Sequence, residues 1–115
     1  MAVATTTLLT QTFTGQQGNW SSTVLSAGTY TELILDAQFT SLTSSATIAL
    51  NRIDPLSNAV TIWSAGRDST TTDLLAIDIG PCDGYAVSHA FGDQIQVVIT
   101  TTGTYSGSLC LQGKG

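Results

Sequence analysis

Apolar and polar side chains alternate with a period of two along most of this chain, and no window repeats apolar residues at helical spacing over several turns. The alternating segments are short and separated by turn residues at roughly the 8–12-residue intervals expected of an all-β sandwich or barrel. Candidate strands run over Thr6 to Phe13, Trp20 to Leu25, Tyr30 to Ala37, Ala46 to Ile53, Ala59 to Ser64, Asp73 to Ile79, Tyr85 to His89, Gln94 to Thr101 and Tyr105 to Leu111. Within them Leu33 and Leu35 share a face, as do Ile48 with Leu50, Leu75 with Ile77 and Ile79, and Ile95 with Val97 and Ile99. Ser41 to Ser45 and Gly66 to Thr72 are polar connections. Asp54-Pro55-Leu56-Ser57-Asn58 is a turn in which Pro presets φ and Asp and Asn bond nearby backbone, so the segments on either side form a hairpin. One-sided burial of each strand calls for a mostly antiparallel β-sandwich, jelly-roll-like, of eight or nine short strands.

Composition limits what such a sandwich can do. The chain has 20 Thr and 12 Ser among 115 residues, and only 10% of its residues are charged. Small and β-branched hydroxyl side chains suit exposed strand faces but supply few acids or bases. Length supports one domain, here divided into a strand or arm at 1–14, able to pair with another molecule, and a sandwich at 15–115. Net charge is −5, and the cations are Arg52, Arg67 and Lys114. Nucleic acid binding needs clustered Lys and Arg, and anionic membranes need the same, so neither partner is expected. No stretch approaches the roughly 20 apolar residues of a membrane span. Met1 to Thr14 lacks the basic and apolar regions of a signal peptide, and the chain is expected to remain where it is made. Cys82 and Cys110 are able to pair, but without a secretory signal they are read as semi-buried free thiols.

Catalytic constellations are not apparent. Serines abound without a G-x-S-x-G elbow, and the single histidine, His89, sits in a candidate strand beside Phe91 with no evident partner. Asp68, Asp73, Asp78 and Asp83 recur every five residues, an odd spacing that sends successive extended side chains to opposite faces. No calcium-loop motif, zinc spacing or phosphate-binding glycine loop occurs. A loop-borne calcium site using Asp54, Asp68 or Asp83 stays open, although turn and solubilising roles account for these acids. The chain is therefore expected not to be an enzyme and to need no cofactor. Exposed aromatics offer another route to function, since Trp and Tyr mark sugar- and protein-binding surfaces. Trp20 follows a Gly-Asn turn, Trp63 ends a strand, and Tyr30, Tyr85 and Tyr105 lie close behind glycines. Capping the ends of the sandwich is the plainer role for these rings.

Two stretches, Ile48 to Trp63 and Ile79 to Gln112, carry a pattern of turns and strands. Asp54, Pro55 and Ser57 lead into a strand holding Trp63. Gly80-Pro81 then precedes alternating aliphatics, and Gly103-Thr104 turns into the last strand. This pattern resembles small β-sandwich head decoration and accessory capsid proteins of tailed bacteriophages. Asn58 stands where glycine is usual, a position a left-handed-tolerant residue can fill. The resemblance implies a structural virion protein on the capsid surface, made in the bacterial host cytoplasm and bound to the major capsid protein or another virion protein. The oligomer expected is homotypic, with a trimer favoured. Candidate contacts are Ala2, Val3, Thr5, Thr7 and Leu9 in the uncharged first segment, with Trp20 and Trp63. The alternative is a carbohydrate-binding module of a tail tip or fibre.

Overall fold

The computed structural model describes residues 5–28, 30–70, 73–79 and 94–115, with Asp78 and Ile79 described by backbone alone. Nine strands lie among these residues and no helix does. They are β1 (Thr5–Gln17), β2 (Trp20–Ser21), β3 (Leu25–Ser26), β4 (Glu32–Leu42), β5 (Ala46–Ile53), β6 (Ala59–Arg67), β7 (Leu75–Ile79), β8 (Gln94–Thr101) and β9 (Thr104–Lys114). The candidate strand Tyr85 to His89, Cys82 and the Gly80-Pro81 turn lie outside the described residues.

The strands form two antiparallel sheets. The first has the order β1-β9-β4-β7, and the second the order β2-β8-β5-β6, with β3 also on β8. Both β2 and β3 run along the same edge of β8, so they act as one interrupted strand. Counted that way, every connection except the β5–β6 hairpin passes from one sheet to the other. This is the connectivity of an eight-stranded jelly roll.

Alternation dictates the core. Leu33, Leu35, Leu109 and Leu111 of the first sheet face Ile48, Leu50, Ile95 and Ile99 of the second, all buried. Each such side chain contributes roughly 1.5–3 kcal/mol relative to an exposed position. Where two apolar residues are consecutive, a bulge explains how both reach the core. In β6, Trp63 lies opposite Leu50 and Thr61 opposite Asn51, leaving Ile62 as the extra residue. Ile62 is buried, and Trp63 is half-buried against the core cluster.

Beyond Ala37, β4 continues for five residues that the sequence assigns in part to a polar connection. A bulge between Phe39 and Ser41 shifts the alternation, so that Leu42 rather than Ser41 turns inward. Phe13 and Phe39 both lie opposite Gly107, one on each side of β9. A Cβ at Gly107 would fall 2.9 Å from the Phe39 Cα, closer than side chains approach. The two rings then meet Tyr105 edge-on at 5.1 and 5.4 Å, and Trp20 meets Phe13 edge-on at 5.0 Å. Tyr105 is fully buried, and its hydroxyl finds no hydrogen-bond partner among the described residues. Burial also raises its pKa. Tyr30 lies over Gly113, where a Cβ would come within 2.6 Å of the ring.

The Asp54–Asn58 turn closes through its own side chains. Asp54 Oδ1 accepts the N–H groups of Leu56 (2.9 Å) and Asn58 (2.8 Å), and Oδ2 accepts Asn58 Nδ2 at 3.2 Å. The left-handed residue is Ser57, with φ of 68°, and not Asn58 as the sequence suggests. Asn58 is instead held by its donations to Asp54. A free thiol is present at half-buried Cys110.

Candidate functional site

The core assignment fixes what each sheet shows to the outside. In the second sheet Thr47, Ala49 and Asn51 of β5 alternate with core residues and lie opposite Thr100, Val98 and Gln96 of β8, Asn51 itself being buried. β6 adds Ser64 beside Ala49 and Thr61 beside Asn51, and β2 adds Ser21 beside Val98. None of these nine residues is charged. Their polar groups are partly committed within the face, with Thr61 Oγ1 donating to Asn51 Oδ1 at 2.8 Å and Gln96 Nε2 donating to the Ser22 carbonyl at 2.7 Å. The outer face of the first sheet differs. It carries Asp36 and a Glu32–Lys114 pair at 3.9 Å, with Leu74 exposed beside it.

A polar groove of about 540 Å³ opens at one end of the sandwich between Gly18-Asn19, Ser45 to Thr47 and Thr100 to Thr102. Its walls are braced by internal bonds. Asn19 Oδ1 accepts the Thr101 N–H at 2.9 Å, and Thr101 Oγ1 donates to the Ser45 carbonyl at 2.9 Å and accepts the Gly103 N–H at 3.1 Å. The lining offers hydroxyls and amide groups without a charge or an aromatic ring.

Charge divides the molecule by flank. Residues 1–31 contain no Asp, Glu, Lys or Arg. Those described include all of β1, β2 and β3, which share one flank because Phe13 meets Trp20 there. At the other flank Asp68 and Asp73 fall in the connection between edge strands β6 and β7, with Arg67 at its start. Asp68 Oδ1 accepts the Thr70 N–H and hydroxyl at 2.9 and 2.7 Å. Hydrogen bonds from the Asn58 backbone chiefly hold the Asp54 carboxyl below its ordinary value. Among the described residues no three His, Cys, Asp or Glu side chains gather at one point. Asp83 and His89 lie outside the described residues.

The residues singled out from sequence are only partly brought together. Thr5, Thr7 and Leu9 lie on β1, the first two exposed and Leu9 half-buried against the core. β1 pairs with β9 from Thr5↔Lys114 to Gln17↔Thr104, and among the described residues no strand pairs with its other edge. Trp20 is on the same flank, half-buried. Trp63 is on β6, at the far edge of the second sheet. Ala2 and Val3 lie outside the described residues. The outer face of the second sheet was not assembled from sequence. Its members alternate visibly with the core, but their grouping depends on which strands become neighbours.

The fold and surface define an antiparallel β-sandwich of jelly-roll connectivity with one outer face that carries no charge among the described residues. No protein-family model matches the sequence, and no curated protein matches it. Among solved structures the chain is similar to a carbohydrate-binding module specific for non-crystalline cellulose. Identity is 11% and the TM-score 0.48, over 93% of this chain and 72% of the module. It is also similar to the VP2 subviral particle of infectious bursal disease virus, with 14% identity and a TM-score of 0.43 over 98% of this chain. The chain spans only 33% of that VP2 chain's length.

Proposed function

We propose that this chain is a structural virion protein, a decoration or accessory protein of a tailed-bacteriophage head, that docks through the outer face of its second sheet. One observation carries the reading: eight neighbouring outward residues on β2, β5, β6 and β8, with buried Asn51 among them, include no charge. The cores of protein interfaces are depleted in charge, and a surface without ions is buried without stripping ions of water. The turn-and-strand resemblance in the sequence at Asp54, Pro55, Ser57, Trp63, Gly80, Pro81, Gly103 and Thr104 supports the same reading. The partner is the major capsid protein or another virion protein, and the role is stoichiometric rather than catalytic. The protein is made in the host cytoplasm and ends on the capsid surface. Cosedimentation with undecorated heads, assembled from the capsid protein encoded with this chain, tests the proposal. Saturable binding at a ratio fixed by capsid symmetry supports it, and absence of binding overturns it.

The hydroxyl-lined groove favours a second reading, recognition of a neutral carbohydrate by a tail-tip or fibre module. Sugar sites commonly add an aromatic platform, and the nearest candidate in sequence is Trp20. Glycan-array binding that is lost in Trp20→Ala or Thr101→Val supports this reading, and silence across the array removes it.

A further inference from the structure

We infer that β1 is a homotypic docking edge, at which two copies of this chain join their first sheets about a two-fold axis near Gln11. The inference does not rest on the virion reading. An edge strand presents a row of backbone N–H and C=O groups to any strand that can reach it, and proteins usually blunt such edges with charge, proline, bulges or interruption. Among the described residues the other three edges are blunted: Asp73 lies just before β7, the β2/β3 edge is broken between Ser21 and Leu25, and β6 is bulged at Ile62 and ends in Arg67. β1 is bulged only at its two ends, and its central segment from Leu9 to Phe13 is regular. The whole strand is 13 residues long and contains no charged residue and no proline.

The choice of a second copy comes from symmetry and charge. β1 pairs with β9 without interruption from Leu9 to Phe13, and its register irregularities fall at Leu8 and at Thr14-Gly15. These breaks lie almost equidistant from Gln11. An antiparallel pairing centred on Gln11 therefore sets regular segment against regular segment and break against break. It places Thr10 opposite Thr12 on the outer face and Leu9 opposite Phe13 on the inner one. Cross-strand Thr–Thr pairs are favourable, and no like charges face each other. Thr12's carbonyl takes a 3.3 Å bond from the Gln11 side chain, a long contact that a backbone N–H of the second copy would replace. Each copy carries a net charge of −5, which opposes association. This geometry keeps the acidic β6–β7 connections at the two far ends of the pair. A self-complementary patch of this kind closes as a dimer, in place of the trimer that the family resemblance favours.

Sedimentation velocity across micromolar to millimolar protein, on the wild type and on the double variant Thr10→Lys/Thr12→Lys, tests the inference. Both threonines are exposed, and circular dichroism and melting check that the variant keeps its fold. The wild type is expected to form dimers and the variant to stay monomeric. Hydrogen exchange on the wild type alone gives a second readout, with the Thr10 and Thr12 amides slowing by about tenfold or more at high concentration. A wild-type monomer throughout, a trimer, or a dimer that survives the two lysines overturns the inference. A chain that dimerises this way yet ignores phage heads overturns the virion reading alone.

Discussion

Ser22 and Val97 exchange two hydrogen bonds across the broken edge of the second sheet. The Ser22 N–H donates to the Val97 carbonyl at 2.9 Å, and Ser22 Oγ accepts the Val97 N–H at 3.0 Å. A side-chain hydroxyl thus stands in for a backbone carbonyl where β2 gives way to β3, and it keeps a buried N–H satisfied.

Ser22→Ala should therefore cost about 1–3 kcal/mol, because it leaves the Val97 amide buried without an acceptor. Urea unfolding should show a lower midpoint at an unchanged slope. An unchanged midpoint would contradict the role assigned to the hydroxyl.

Tyr105 makes the opposite case. Its hydroxyl is buried without a partner among the described residues, so Tyr105→Phe should leave stability unchanged or raise it by up to about 1 kcal/mol. Tyr105→Ala should cost about 3–5 kcal/mol through the cavity left among Phe13, Phe39 and Leu42. The raised pKa adds a pH signature. Folding favours the protonated phenol, so this contribution is complete below the ordinary value of 10.0 and is lost as pH rises through the higher folded-state value. Denaturation from pH 8 upward should show a shallower alkaline loss in Tyr105→Phe than in the wild type.

Gly113 and Tyr30 should be energetically coupled. Gly113→Ala drives a methyl into the Tyr30 ring and should cost about 1–3 kcal/mol. In the double variant Tyr30→Ala/Gly113→Ala the loss should be less than the sum of the single losses, and a double-mutant cycle measures the difference. Strict additivity would mean that the ring does not rest on this glycine.

Asp54 controls the β5–β6 turn. Its carboxyl is held below the ordinary value of 3.8, chiefly by the Asn58 backbone N–H. The stability it lends is complete above that value and fades as pH falls through the lower folded-state value. In an NMR titration the Leu56 and Asn58 amides should shift together with a midpoint below 3.8. A midpoint at or above it would mean that the turn does not hold the carboxylate.

The strands that read most clearly from sequence were those with uninterrupted alternation. β5 and β8 have the limits expected, Ala46–Ile53 and Gln94–Thr101, because each buries one strict set of aliphatics and ends at turn residues. Bulges hid the rest. An extra residue in β4 puts Leu42 in the core from a stretch that reads as polar, and another in β6 lets Ile62 and Trp63 both lean inward. The left-handed residue of the Asp54 turn fell on Ser57 because Asn58 is engaged by Asp54, a competition that spacing does not display. The candidate surfaces were less legible still. The missing charges of residues 1–31 are plain in the sequence. The gathering of Thr47, Ser64, Val98 and Ser21 on one face follows from long-range pairings of β5 with β8, β6 and β2, which local alternation does not specify.

The most direct test of the virion reading is a binding titration against undecorated heads with the wild type and with Thr47→Glu/Ser64→Glu, two exposed positions on the charge-free face. The expected result is saturable wild-type binding at a symmetry-fixed ratio, with affinity reduced at least about tenfold in the folded variant as its carboxylates are desolvated at the interface. Equal binding by both proteins would contradict docking through this face, and no binding by the wild type would contradict the virion role itself.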